Sequence, residues 1–345
     1  MFQVFSSYFS EDIGIDLGTA NTVIFVKGRG IVLSEPSVVA IKSDSKNCHR
    51  IVAVGTRAKK MIGRAPDCIV ATHPLKDGVI ADFELTDAML KHFILKARKR
   101  PFLAKPKIVI CLPSGSSEVE MLAVRQAANN VGARAVYLLA EPVAAAIGNN
   151  LPVKEPTGTM IVDIGGGTTE VAVLAMSDIV HSSSIRIAGH EMDNAIIKHV
   201  KAKYGLLIGA RTAEAVKKRV GNACCDNDGR SVEVKGRDLI GGVPKVVTLR
   251  STEVAEAISR PVRAIVETIK NALMHIPPDL ASDIVERGIV LSGGGSLLRN
   301  LDGVIRTATG LPVVLADNPL LSVVLGTKAI LEKPHLYEDL LIHRR

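Results

Sequence analysis

Two short stretches of this chain carry the residue types that phosphate and magnesium chemistry needs. The first is Asp16-Leu17-Gly18-Thr19-Ala20-Asn21-Thr22, entered through the apolar run Ile13-Gly14-Ile15. The second is Asp163-Ile164-Gly165-Gly166-Gly167-Thr168-Thr169, entered through Met160-Ile161-Val162. Asp16 matches Asp163, Gly18 matches Gly165 and Thr22 matches Thr169 at a constant offset. A tight Gly/Thr turn between two strands exposes several backbone N–H groups on one side, and such a concavity binds anions. The Asp at the end of each incoming strand repels a phosphate but suits Mg²⁺, a hard cation that takes oxygen ligands and keeps several waters. Alone, each turn reads as a hairpin with no ligand. Two matched copies favour a shared nucleotide tail and metal, held by two similar domains that face each other.

A third glycine turn, Leu291-Ser292-Gly293-Gly294-Gly295-Ser296, follows an apolar strand and is expected to open a helix over 296–309. Its glycines would let a flat ring or a ribose approach the backbone closely. The plainer alternative is a flexible linker. Competing signatures fail. The dipeptide Gly-Lys of a P-loop occurs nowhere, His190-Glu191 lacks the second His of a zincin because Asn194 stands there, and no Gly-x-Ser-x-Gly elbow exists. The dinucleotide fingerprint requires glycines that lead into a helix, whereas Thr168-Thr169-Glu170-Val171-Ala172-Val173 reads as strand.

The elements that must hold these turns follow from periodicity. Strands are expected over 13–15, 23–26, 37–41, 108–112, 159–162, 171–175 and 289–291. Helical spacing marks 86–99, 117–131, 192–204, 212–221, 252–275 and 296–309. The long 252–275 stretch places Val254, Ile258, Val262, Ile265, Ile269 and Leu273 on one face, with a kink expected at Pro261. The fold class is α/β.

Composition bounds the rest. The 345 residues are 47% hydrophobic and 23% charged, which is globular and suits two ordinary domains or one large one. The five cysteines, Cys48, Cys68, Cys111, Cys224 and Cys225, are odd in number and lack CxxC spacing. They suggest a reduced, cytosolic protein rather than a disulfide framework or a zinc site. No apolar run reaches the roughly 18 residues of a spanning helix, and the N-terminus lacks the pattern of a secretory signal. The formal charge of +8 is uneven: Lys91, Lys96, Arg98, Lys99, Arg100, Lys105 and Lys107 cluster without an acid among them. Only eleven residues are Phe or Tyr and none is Trp, yet Phe2, Phe5, Tyr8 and Phe9 fall in the first nine positions.

In this order the three turns resemble the actin, sugar-kinase and heat-shock-chaperone ATPase superfamily, and more closely the MreB family of bacterial actin homologues. The resemblance covers nearly the whole chain. It also rests on Glu35-Pro36-Ser37-Val38-Val39-Ala40, Asp77-Gly78-Val79-Ile80-Ala81-Asp82-Phe83, Glu141-Pro142-Val143-Ala144-Ala145-Ala146-Ile147-Gly148 and Val234-Lys235-Gly236-Arg237-Asp238-Leu239. It implies an actin-like fold of two ribonuclease-H-like domains, each with a smaller subdomain, around a nucleotide cleft. Lobe I would take 11–32, 67–145 and 320–345 as its large subdomain and 33–66 as its small one. Lobe II would take 146–182 and 241–319, with 183–240 as its small subdomain.

The resemblance further implies ATP and Mg²⁺ as cofactors, with Asp16 and Asp163 holding the metal through water. Gly18, Thr19, Ala20, Asn21, Gly165, Gly166, Gly167 and Thr168 would cradle the phosphates, and Gly293, Gly294, Gly295 and Ser296 would lie against the nucleoside. Glu141 would orient the attacking water beside Thr168; the bland alternative for Glu141 is a helix cap or a surface carboxylate. Glu214 and Lys217 look like ribose and adenine contacts, or else an i,i+3 surface ion pair worth a few tenths of a kcal/mol, roughly. Two positions depart from the family pattern: His190 stands where Asp is usual, and Ala140 where a second acid is common.

The implied function is an ATP-binding and slowly hydrolysing cytoskeletal protein. It would polymerise into membrane-associated filaments, as paired protofilaments, and maintain rod shape by organising cell-wall synthesis. Its partners would be further copies of itself, cell-wall elongation and membrane-anchor proteins, and the inner face of the cell membrane. Residues 1–10 divide into an apolar and a polar face at helical spacing, which suits an interfacial anchor. Phe2, Phe5, Phe9, Phe102 and Leu103 would meet anionic lipid beside the cationic stretch. No nucleic-acid-binding module is recognisable. The alternative is a non-polymerising ATPase of the same fold, chaperone-like or of the cell-division type. The absence of a long region after the turns weighs against the chaperone reading, and the absence of a clustered base weighs against a sugar kinase.

Overall fold

The computed structural model describes residues 11–43, 49–99, 105–226 and 228–342. The expected membrane anchor at 1–10, and Phe102 and Leu103, lie outside the described residues. The chain divides into two units. One comprises 1–157, 174–180 and 320–345; the other comprises 158–173 and 181–319.

The first unit is built on a five-stranded sheet in the order Ala135–Ala140, Lys107–Leu112, Ile13–Leu17, Asn21–Val26, Gly30–Pro36. The first three strands are parallel neighbours and the last three form an antiparallel meander. Ile13, Ile15, Ile24, Ile108, Ile110 and Leu138 are fully buried, because the central strands are covered on both faces and read as continuous apolar runs. Helix Phe83–Ala97 adds Met89, Leu90, Phe93 and Ile94 to that core. Helix Glu118–Asn130 starts at a capping box in which the Ser117 and Glu120 side chains each satisfy the other's backbone N–H.

Helix Ser322–Glu332 lies against strand Ile13–Leu17 and against helix Glu141–Gly148 at very short range. A Cβ at Gly14 would fall 2.0 Å from Thr327 Oγ1, and one at Gly148 would fall 1.9 Å from the Ser322 carbonyl. Helix Ser322–Glu332 therefore fixes two elements at once, the strand that carries Asp16 and the helix that begins with Glu141. A smaller antiparallel sheet follows the order His49–Val54, Val39–Ser43, Ile69–Thr72.

The second unit repeats the plan. Its five-stranded sheet has the order Val313–Leu315, Ile289–Ser292, Thr159–Ile164, Thr169–Ala175, Asp178–Ile185. Strand for strand this matches the first sheet: the Asp-bearing strand is central, its successor in sequence lies on one side, and two parallel strands lie on the other. Asp16 pairs in register with Cys111, and Asp163 pairs in register with Ser292 at the equivalent position. Helix Ser251–Met274 runs unbroken through Pro261 and buries Val254, Ile258, Val262, Ile265 and Ile269 as the spacing requires. A small sheet here has the order Leu206–Leu207, Ser231–Asp238, Pro244–Arg250. Among the described residues no helix is long and apolar enough to cross a membrane.

Candidate functional site: two matched aspartate turns

In the first unit, strands Ile13–Leu17 and Asn21–Val26 pair from Ile13/Val26 to Leu17/Thr22, leaving Gly18, Thr19 and Ala20 as the connection. A Cβ on Gly18 would meet the Asn21 carbonyl at 2.8 Å, so the turn closes only on glycine. Ser37 braces it from behind. Its hydroxyl donates to the Gly18 carbonyl at 2.6 Å and lies 2.9 Å from Thr22 Oγ1, while its N–H donates to the Ala20 carbonyl at 3.0 Å. Thr19 Oγ1 accepts from the N–H of Gly78 at 3.3 Å. The Gly18 and Ala20 carbonyls are thereby occupied from within the fold.

Glu141 is the first residue of helix Glu141–Gly148, with Pro142 next. The helix cap is Ala140, which makes no side-chain cap bond, and Glu141 is itself buried, 8% exposed. Glu141 is thus neither a cap nor a surface carboxylate. A helix N-terminus is a favourable place for a carboxylate, and burial limits what water can reach it.

The second turn, between Thr159–Ile164 and Thr169–Ala175, is closed by the Gly165 N–H donating to the Thr168 carbonyl at 2.9 Å. Helix Gly189–Tyr204 braces it. The Gly189 N–H donates to the Gly165 carbonyl at 3.2 Å, and the His190 N–H donates to the Gly166 carbonyl at 2.8 Å. His190, the departure from the family pattern, thus holds the turn through its backbone. Thr169 Oγ1 donates to the Ile187 carbonyl at 2.7 Å, anchoring the same region from the strand side.

Asp163 is the buried acid of this turn. Its Oδ1 has no hydrogen-bond partner of good geometry, and neither has Ser292 Oγ. Burial pushes its carboxyl up to about 6, with the neighbouring Ser292 hydroxyl opposing the rise. A buried carboxylate short of partners is costly unless paired or bound to a metal. Among the described residues no cluster of three His, Cys, Asp or Glu side chains is able to hold a metal. The arrangement fits a magnesium ion that takes few protein ligands and retains its waters.

The third glycine turn packs on the second. A Cβ at Gly293 would fall 2.4 Å from Asp163 Oδ1, and one at Gly295 would fall 2.4 Å from Ile164 Cγ2. Gly293 also has φ 79°, which glycine adopts without strain. Ser296 Oγ donates to the Gly293 carbonyl at 2.6 Å, closing the turn on itself. The helix expected over 296–309 is corrected. A 3₁₀ turn spans Gly294–Leu297, and the α-helix begins only at Leu301, because extended Leu298 and left-handed Asn300 separate the two.

Glu214 binds Lys218 at 2.7 Å, one helical turn on, and Lys217 reaches Asp193 at 2.9 Å and the Gly189 carbonyl at 2.6 Å. Lys217 therefore braces the helix that braces the second turn. Burial raises the Asp193 carboxyl above its usual range, with Lys217 pulling it back and Glu214 pushing it further up. In the cationic stretch, Lys96 pairs with Glu35 at 2.6 Å, so that charge is spent within the fold. Ser37, Gly78, Gly189, Asp193 and Ser292 support the turns and were not singled out individually from sequence. Their role depends on partners far away in the chain. Within each unit the structure brings together the residues of that unit's turn: Asp16, Gly18 and Thr19 in one, and Asp163, Gly165 to Thr168, Gly293, Gly295 and Ser296 in the other.

Two matched five-stranded sheets with an aspartate turn on each central strand define the actin-like fold. The solved MamK double helical filament has that fold at TM-score 0.77 and 23% identity, covering 93% of this chain and 98% of that one. The family model described as MreB/Mbl protein matches residues 10–339, and the chain belongs to this family. It is 52% identical over 334 residues to the cell shape-determining protein MreB of Escherichia coli K12, covering 96% of each. It is 48% identical over 324 residues to the cell shape-determining protein Mbl of Bacillus subtilis, covering 94% of this chain and 96% of that one. Among solved structures, MreB5 of Spiroplasma citri bound to ADP superposes at TM-score 0.89 and 35% identity, covering 96% of this chain and 98% of that one. The chain is thus a cytoskeletal, cell shape-determining protein of the actin-like fold.

Proposed function

We propose that this chain binds ATP with Mg²⁺, hydrolyses it slowly, and assembles with copies of itself into filaments on the inner face of the cell membrane, where they organise cell-wall synthesis. The observation that carries the nucleotide part is Asp163, a buried carboxylate with an unpartnered oxygen at the rim of a braced glycine turn. The ADP and AMPPNP complexes of the Spiroplasma citri relative support the same reading. Asp16 and Asp163 would hold the metal, which neutralises phosphate charge when bound. The amides and hydroxyls of Gly18 to Asn21 and Gly165 to Thr168 bind the phosphate oxygens. Gly293 to Ser296, Glu214 and Lys217 lie toward the nucleoside. Glu141 and Thr168 orient the attacking water, which suits phosphoryl transfer because that chemistry depends on positioning more than on covalent help.

Self-association is supported by exposed apolar side chains on both units. In the second unit the hairpin between Ser231–Asp238 and Pro244–Arg250 exposes Leu239, Val243, Val246 and Ile240, the last 99% exposed. In the first unit Val119 and Leu122 stand out from helix Glu118–Asn130. Contacts between unlike patches propagate head to tail and generate open filaments rather than closed dimers. The amphipathic pattern of residues 1–10, with Phe102 and Leu103, carries the membrane part.

The test is sedimentation of the purified full chain with ATP, with and without anionic liposomes, beside a variant lacking residues 1–10. Pelleting with ATP, and liposome binding lost on deletion, are expected. No pelleting in any nucleotide state would overturn the filament reading, and equal liposome binding after deletion would overturn the anchor.

A further inference from the structure

Cys224 and Cys225 are adjacent in sequence, and both are free thiols; Cys224 is half-buried and Cys225 exposed. They sit in the segment between helix Ala210–Val220 and strand Ser231–Asp238. The backbone leading into the pair is pinned. Asn222, 1% exposed, accepts at Oδ1 from the Cys224 N–H at 3.0 Å and from Asn300 Nδ2 at 2.9 Å. The Ala223 N–H donates to the Arg299 carbonyl at 2.8 Å. Two donors face Asn222 Oδ1, so the amide cannot be flipped, and its Nδ2 is left buried without a partner. The segment is therefore held at Asn222 and Ala223, while Cys225 just beyond is exposed.

We propose that Cys224 and Cys225 form a peroxide-sensitive dithiol, a reversible modification site of the second unit. Solvent accessibility and a resolving cysteine alongside are two of the features that mark reversibly oxidised thiols. The Cys225 thiolate attacks one oxygen of hydrogen peroxide. The O–O bond breaks, a sulfenic acid forms, and hydroxide leaves and is protonated to water. The Cys224 sulfur then attacks the sulfenic sulfur, an S–S bond forms and a second water departs. Two thiols are oxidised and one peroxide is reduced, giving a disulfide and two waters. The ring closes within one dipeptide, so the step is intramolecular and needs no second chain. Neighbouring Cα atoms lie about 3.8 Å apart across a trans peptide, below the span of about 4.4–6.8 Å that disulfides prefer. The bond is accordingly strained and easily reduced, as a reversible site requires. Cys111, buried in the first sheet, is shielded, and Cys68 is exposed in the other unit.

The experiment treats the full chain with hydrogen peroxide, counts thiols, and maps the products by mass spectrometry before and after dithiothreitol. Expected is loss of two thiols, with the peptide carrying Cys224 and Cys225 lighter by two hydrogens, no covalent dimer, and full reversal by dithiothreitol. In Cys224→Ser the remaining Cys225 should accumulate a sulfenic acid trapped by dimedone. Reaction confined to Cys68, chain-to-chain disulfides, or irreversible sulfinic acid at Cys225 in the unsubstituted chain would each overturn the proposal.

Discussion

The missing Cβ of Gly293 would stand 2.4 Å from Oδ1 of Asp163, just past the end of strand Ile289–Ser292, which pairs in parallel with the strand of Asp163. The third glycine turn is therefore shaped first by the acid of the second turn. Gly293→Ala places a methyl into that oxygen and into the Ile164 carbonyl, at a positive φ that costs about 1–3 kcal/mol before any clash is counted. A drop in unfolding free energy of at least that size, with weakened ATP binding, is expected in urea titrations and nucleotide-binding isotherms. A variant as stable as the parent would contradict the close packing.

The pH dependence of folding should carry the mark of Asp163. Its carboxyl lies at about 6 in the fold against a usual 3.8, so between these values the native state binds more protons than the unfolded chain. Stability from this group is present at low pH and is lost as pH rises from about 4 to about 6, roughly 3 kcal/mol in all. Asp163→Asn should remove that slope from urea midpoints measured across the range without magnesium. Glu35 acts with the opposite sign. Burial pushes it up, but hydrogen bonds from Lys96 and Thr56 outweigh this and hold it at about 2, so its contribution is lost as pH falls from about 4.5. An unchanged profile in Asp163→Asn would contradict the assignment.

Lys217 and Asp193 form a largely buried pair, 15% and 8% exposed at their side chains. Removing only the cation leaves a buried carboxylate behind, so Lys217→Met should cost on the order of 3 kcal/mol. The double variant Lys217→Met with Asp193→Asn should recover most of it. Calorimetric melting checks both. Equal losses in the single and double variants would show that Lys217 acts by packing alone.

The matched aspartate turns were legible in the sequence because their chemistry sits in a few consecutive residues. The long helix Ser251–Met274 was legible because one face is apolar and the other is not. Helices Glu141–Gly148 and Ser322–Glu332 escaped periodicity for the converse reason. Val143 to Ile147 are all buried, and so are most residues of the second helix, so neither shows a contrast between faces. Strand Asp178–Ile185 alternates between exposed and half-buried without a strong apolar face. The partners of Lys217 were hidden because spacing exposes a neighbour on the same helix but not Asp193 on another. Ser37 falls within a motif that the resemblance rests on, yet its part in closing the first turn depends on the contact with Gly18.

The exposed tip of the second unit gives a separate test of assembly. Ile240→Asp replaces a fully exposed apolar side chain, so the fold and ATP binding should be unaffected while ATP-dependent pelleting falls sharply. Undiminished pelleting would remove this hairpin from the filament contact.

Glu141→Gln should retain ATP affinity and hydrolyse more slowly by at least about a hundredfold, the low end for loss of a group that handles a proton or water. Phosphate release under saturating ATP checks this. Unchanged turnover would take Glu141 out of the reaction.

The central claim is that the two aspartate turns hold one magnesium-bound ATP. Its most direct test is the affinity for a fluorescent ATP analogue, measured with magnesium and with EDTA, for the unsubstituted chain, Asp16→Ala and Asp163→Ala. The account predicts that magnesium strengthens binding to the unsubstituted chain and has little effect on either variant. Equal magnesium dependence in all three proteins would contradict it.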